Sequence, residues 1–162
     1  MSEFDKEIDD TEDEANCSEA YLSALAQNIR DKASGHFKIW LCLDAQDGFE
    51  DALQIYRKLT EINPDKYLPY LAATLGNMAE VLYETDQFKE AEANYAEAVE
   101  IWRKLAETNP AAYLPDLVMA LHNLANVQIN FTEAKANYEE EEEIRKKLAE
   151  MKKVEKNETE TN

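Results

Sequence analysis

The sequence has little with which to turn corners. Of 162 residues, three are glycine and four are proline, too few for the many tight turns that an all-β fold requires. Cysteine is scarce as well. Cys17 and Cys42 stand in unlike surroundings with no CxxC spacing, so neither a disulfide nor a zinc site is expected, and reduced thiols in a cytoplasmic protein are. Histidine is limited to His36 and His122, and no glycine-rich phosphate loop, nucleophile elbow or HExxH occurs. The chain therefore offers no convergent acid–base set, and it is expected to be no enzyme, with no cofactor and no metal. It has no apolar run of about eighteen residues to span a bilayer. The opening MSEFDKEIDDTEDE lacks the apolar centre of a secretory signal. Positive charge is in short supply: 17 basic residues face 35 acidic ones, for a formal charge of −18. Such a chain is repelled by phosphate backbones and anionic lipid, which argues against direct nucleic-acid or membrane partners.

What is present is an apolar share of 44% and a charged share of 32%, the balance of a globular chain built from long helices. Residues 1–16 are dominated by Asp and Glu and read as an acidic, disordered tail. From Ser18, a plausible N-cap, Leu22, Leu25 and Ile29 recur at helical spacing, and Gly35 lies where that helix should stop. The stretch Phe37–Leu43 is open to either a strand or a helix on periodicity alone; with no second β-rich run to pair with, a helix is expected over 36–47.

Beyond Phe49 the chain repeats itself. Ile55-Tyr56-Arg57-Lys58-Leu59-Thr60-Glu61 returns as Ile101-Trp102-Arg103-Lys104-Leu105-Ala106-Glu107. The same offset carries Asn63-Pro64 onto Asn109-Pro110 and Tyr67-Leu68-Pro69 onto Tyr113-Leu114-Pro115. A third copy of the first block, Ile144-Arg145-Lys146-Lys147-Leu148-Ala149-Glu150, follows after a shorter interval. The missing residues fall where Leu82–Phe88 contracts to Gln128–Phe131, a turn. Each unit reads as two helices. Pro69 and Pro115 suit a first helical turn, Asp86 and Thr132 are expected N-caps of the second helices, and the Asn-Pro pairs are stops.

These residues resemble the tetratricopeptide repeat family, particularly its longer-repeat members related to kinesin light chains. The resemblance covers about Phe49 to Met151. It is carried by Leu75, Met78-Ala79, Leu82, Phe88-Lys89-Glu90-Ala91, Tyr95 and Ala98, and in the next copy by Leu121, Leu124-Ala125, Phe131-Thr132-Glu133-Ala134 and Tyr138. The family's usual repeat is about 34 residues; here the second helix runs on through Trp102 and Leu105. Gly48-Phe49 looks like the turn and second-helix start of an earlier, shorter repeat. The resemblance implies an all-α fold, a right-handed superhelix (α-solenoid) of antiparallel helix pairs. One helical-repeat domain is expected over 17–153, with N-terminal helices at 17–48, repeat units at 49–110 and 111–153, and a frayed tail at 154–162. Small residues such as Ala79 and Ala91 would let helices approach, and Tyr95 and Tyr138 would fill the spaces between layers. The last copy departs: Glu141 stands where the repeat uses Ala98, inside the run Glu139–Glu143, and its helix is expected to cap the array with a solvated face.

The resemblance also implies a function. Family members bind peptides in a concave groove lined by the first helix of each pair. Carried over by position, that groove would comprise Ala73, Gly76, Asn77, Glu80, Tyr83 and Glu84 in one unit. In the next it would comprise Met119, His122, Asn123, Asn126, Ile129 and Asn130. The partner-binding set is taken as Asn77, Glu80, Tyr83, Met119, His122, Asn123, Asn126 and Ile129. The alternative for Asn77 and Asn123 is that they merely satisfy contacts between helices. Relatives that grip acidic carboxylate-ended peptides use lysines and arginines on this face; this set has none, so a neutral or basic protein or peptide partner is expected. The chain thus reads as a non-enzymatic interaction module, an adaptor or scaffold. Two other readings compete: an acidic inhibitor that docks on the basic surface of a partner enzyme, and a homodimer in which a second copy covers an end of the array.

Overall fold

The computed structural model describes residues 3–38, 42–128 and 131–160. All secondary structure among them is helical: α1 (Glu3–Lys38), α2 (Cys42–Ile62), α3 (Pro64–Glu84), α4 (Phe88–Thr108), α5 (Pro110–Val127) and α6 (Phe131–Glu160). The described chain divides into two compact units, 1–74 and 75–162, with the division inside α3. The all-α expectation holds, and in each unit consecutive helices pack on one another: α1 on α2 in the first, α4 on α5 and α5 on α6 in the second.

The joints explain the lengths. Asn63 ends α2, its N–H bonding the Leu59 carbonyl at 2.9 Å, and also caps α3, its Oδ1 accepting the Lys66 N–H at 3.2 Å. Asn109 repeats this between α4 and α5, with 3.0 Å to the Leu105 carbonyl and 3.3 Å from the Ala112 N–H. One asparagine thus closes one helix and opens the next, and the following proline takes the first helical position, where its missing N–H leaves nothing unpaired. The helices therefore begin at Pro64 and Pro110, a turn earlier than Pro69 and Pro115. Those two prolines lie inside α3 and α5, where each leaves one carbonyl of the first turn without its helical donor.

Other boundaries differ from the sequence reading. The backbone of α1 is helical from Glu3, with neither a cap at Ser18 nor a stop at Gly35. Acidic residues near a helix start oppose no dipole, and a helical glycine costs only about 1 kcal/mol, so neither feature forces a break. At the other end α6 continues to Glu160. The helix expected over 36–47 is the close of α1 and the start of α2, while residues 39–41 lie outside the described residues. Asp86 is not an N-cap. It takes a left-handed φ of 61° after α3, and the bonds Gln87 N–H to Leu82 and Asp86 N–H to Tyr83 form a Schellman close. Gln87 precedes α4 without a side-chain cap bond, and Thr132 falls within α6.

In the first unit the core gathers Ala26, Ala33, Ala45, Phe49, Ala52, Tyr56, Leu59 and Tyr67. The buried Tyr67 hydroxyl donates to Glu19 of α1 at 2.7 Å, and Lys66 reaches the same carboxylate at 2.9 Å. The Tyr67 bond, then Lys66, hold the Glu19 carboxyl below the ordinary glutamate range. In the second unit Leu75, Ala79, Val81, Ala91, Ala98, Val99 and Leu121 are buried. Each large aliphatic side chain buried here is worth about 1.5–3 kcal/mol.

Gly48 is not a turn but the contact point of α1 and α2: a Cβ there would lie 2.9 Å from the Ala33 Cβ, whereas one at Gly76 would meet nothing within 4 Å. Two alanine substitutions should therefore have opposite signs. Gly48→Ala should lower stability by about 1–3 kcal/mol through overpacking, and Gly76→Ala should raise it by about 0.5–1 kcal/mol through helix propensity. Chemical denaturation of the two variants reads both; equal shifts of one sign would refute the packing account.

Candidate protein-interaction site

The second half of α3 and the whole of α5 carry the residues that the repeat pattern assigns to a binding face. Asn77, Glu80 and Glu84 recur at three- and four-residue spacing, as do Met119, His122, Asn123 and Asn126, so each set occupies one side of its helix. On α3, Asn77 is half-buried and Glu80, Tyr83 and Glu84 are exposed; on α5, Met119, His122, Asn123 and Asn126 are exposed. Met119 is 63% exposed, unusually open for a large apolar residue. Ile129 and Asn130 lie outside the described residues.

Two clusters form behind these faces. In the first, the Tyr83 ring meets Phe88 of α4 edge-on, with centroids 5.4 Å apart. Tyr95 of α4 is buried near the same spot, and its hydroxyl is pushed up to about 12 by burial and then by Glu80, Glu84 and Tyr83. Burial, then the neighbouring Glu84, also raise the Glu80 carboxyl. Among the described residues no lysine or arginine pairs with Glu80 or Glu84. This part of the face is acidic, aromatic and uncompensated.

The second cluster joins α5 to α6. His122 Nδ1 lies 3.2 Å from Glu141 Oε2, and Arg145 donates to Glu141 Oε1 at 2.7 Å. The His122 ring also meets Tyr138 edge-on at 5.9 Å, and the Tyr138 hydroxyl donates to Asn126 Oδ1 at 2.6 Å. His122 and Asn126 are thus engaged within the protein. Asn77 and Asn123 are not: among the described residues neither side chain has a hydrogen-bond partner. The reading that these asparagines satisfy contacts between helices is not what the geometry shows.

Glu141 and Tyr138 reverse their expected roles. Glu141, in a run read as solvated, is only 7% exposed. It fits the place of Ala98 because His122 and Arg145 supply partners for its oxygens. Tyr138, expected as a filler like Tyr95, is 39% exposed while Tyr95 is 5% exposed. The sequence signal was the substitution of Glu for Ala at a repeat position beside an arginine at helical spacing. Neighbouring Arg103 of α4 makes a two-pronged pair with Glu140, at 3.1 and 2.6 Å, which ties α4 to α6.

No group of three His, Cys, Asp or Glu side chains among the described residues could hold a metal ion, and no described helix is long and apolar enough to cross a membrane. Arg145→Ala should leave the Glu141 carboxylate buried with one partner fewer, at a cost of about 1–3 kcal/mol. The equivalent change at exposed Lys146 should cost well under about 1 kcal/mol. Thermal unfolding of the two variants distinguishes them, and equal losses would show that the Glu141 pairing contributes nothing.

Residues 71–111 match the family model of the tetratricopeptide repeat. A comparison with curated proteins found no match. The match spans Asn77, Glu80, Tyr83 and Glu84 of α3, all of α4 and the Asn109-Pro110 joint. With Ala79, Ala91, Tyr95 and Ala98 buried as the repeat's packing requires, the chain carries a tetratricopeptide repeat at residues 71–111, a repeat whose general work is to bind other proteins.

Proposed function

We propose that the chain is an adaptor that binds a neutral or basic peptide or protein surface along the exposed faces of α3 and α5. The observation that carries this reading is the pair Asn77 and Asn123. They occupy the same position in successive repeats, both reach solvent, and among the described residues neither side chain has a hydrogen-bond partner. An amide held on a rigid helix can donate and accept at once, which suits the backbone of an extended or helical ligand. Met119 and Tyr83 supply apolar contact beside the amides, and Glu80 with Glu84 select against acidic ligands. Binding rather than catalysis is the activity on this reading, and the cytoplasm is its setting. The long second helices support placing the repeat with the longer members related to kinesin light chains.

The competing reading, an acidic inhibitor of a basic enzyme, rests on the formal charge of −18, the small size, the acidic opening and the run Glu139–Glu143, and predicts an affinity that collapses with salt. The test uses the full-length chain as bait and quantifies each captured partner against the Asn77→Ala/Asn123→Ala double variant. The loss of two hydrogen bonds should weaken binding by about tenfold or more, with the melting temperature unchanged because neither amide bonds to the rest of the described protein. An unaltered partner profile would remove the asparagine face from the site.

A further inference from the structure

The repeat supplies an internal template for a second surface. In the second unit α5 packs on α4, and α6 is the next copy of α4: Ala134 stands for Ala91, Tyr138 for Tyr95, Glu139 for Ala96, Glu142 for Val99 and Arg145 for Trp102. No described element covers α6 as α5 covers α4. The far half of that face is polar, with Arg145 in place of the buried Trp102. The near half is not closed in the same way. A pocket of about 340 Å³, bordered by Ala134, Lys135, Tyr138, Glu139 and Glu142, opens there. One edge of the Tyr138 ring is held by the Asn126 bond and the His122 contact, so the ring stands fixed at the pocket.

The α4 version shows how a helix sits on such a surface. Ala96 and Val99 border a cleft with Leu124 and Gln128 of α5 and with Glu133, Ala136 and Asn137 of α6, and Asn137 donates to the Gln128 side chain at 2.8 Å. In α6 those two α4 positions are Glu139 and Glu142. A helix seated on α6 in the manner of α5 would bring its counterpart of Gln128 against two carboxylates, and a lysine or arginine there completes the contact. At present the carboxylates meet only exposed lysines on their own helix, Lys135 at 3.4 Å and Lys146 at 2.8 Å; such exposed pairs are weak and readily exchanged.

We propose that the open face of α6 is a docking site for a basic amphipathic helix of another protein, which adds to the second unit as α5 adds to α4. An apolar side chain would fill the pocket against Tyr138 and Ala134, and a flanking cation would meet Glu139 and Glu142. A second copy of this chain is the poorer occupant, because two bodies of formal charge −18 repel on approach. The site is separate from the asparagine face and does not depend on it.

The probe is a labelled peptide of the α5 sequence, residues 110–128, in two forms: Gln128→Lys and Gln128→Glu. Titrated with the full-length chain at low salt, the lysine form should bind about tenfold tighter than the glutamate form. Glu142→Lys in the protein should reverse that order, and Glu139→Lys, equally exposed, should do so independently. Tyr138→Ala should weaken both peptides, and Asn77→Ala/Asn123→Ala should leave both unaffected, which separates this site from the proposed function. Failure of either peptide to saturate, or an order that ignores both charge reversals, would overturn the proposal. So would sedimentation as a dimer that Tyr138→Ala dissolves, since the face would then belong to a second copy.

Discussion

Everything in this protein rests on helices coming close enough for backbones to nearly touch. Two helices separated by alanine or glycine bury more of each cylinder than two held apart by leucines, but only if every residue at the crossing stays small. Ala33 and Gly48 set that distance for α1 and α2; Ala79, Ala91, Ala98 and Ala125 are among the buried small residues of the second unit. Large side chains are then confined to the spaces between crossings, where Tyr56, Tyr67, Phe49 and Tyr95 sit. Each of these tyrosines carries a hydroxyl into a dry place. Tyr67 satisfies it with Glu19, whose carboxylate is thereby held ionised and also engages Lys66. One polar bond thus ties the long α1 to the start of α3 where packing alone would leave the register of α1 free to slide.

The same closeness explains the joints. A helix that must reverse and lie against its predecessor cannot spend many residues on a loop. Asn63 and Asn109 reduce the connection to a single residue by acting as the stop of one helix and the cap of the next. The α3–α4 turn solves the problem differently, with Asp86 in the left-handed region closing α3. Asparagine at the joints and asparagine on the exposed faces of α3 and α5 therefore serve unrelated ends. Asn63 and Asn109 are bonded to the backbone, whereas Asn77 and Asn123 make no side-chain hydrogen bond among the described residues.

Helix type, the repeat and its packing residues were legible because they depend on local pattern. The periodicity of Leu75, Met78, Ala79 and Leu82 identifies a buried stripe without reference to any neighbour. Boundaries were less legible. Pro69 and Pro115 read as helix starts because a proline in a first turn and one shortly after it look alike in sequence, and only the asparagine caps decide between them. Gly48 read as a turn because glycine marks both turns and close helix crossings. Charge was hardest. The run Glu139–Glu143 has the composition of a solvated face, but a helix points consecutive residues in different directions. One of the five, Glu141, is carried inward to His122 and Arg145, and another, Glu140, is carried toward Arg103.

The contrast between α4 and α6 shows how one template can both close an array and leave it receptive. The side of α6 that meets α5 keeps Ala134 buried and Ile144 and Leu148 half-buried, because burial there is required whatever follows. On the other side the copy is free to change, and it changes in two ways. Trp102 becomes Arg145, whose guanidinium is spent on Glu141, so that position offers no apolar surface. Val99 and Ala96 become glutamates whose only described salt-bridge partners are exposed lysines on their own helix, while Tyr138 remains large and fixed beside them. A face meant only for water has no use for a held aromatic ring next to a pocket; scattered charge would serve. A face meant for any passing helix would keep the valine. An apolar pocket guarded by two carboxylates admits a helix that brings positive charge and repels one that brings negative charge, and repulsion of the wrong partner is as much a part of specificity as attraction of the right one.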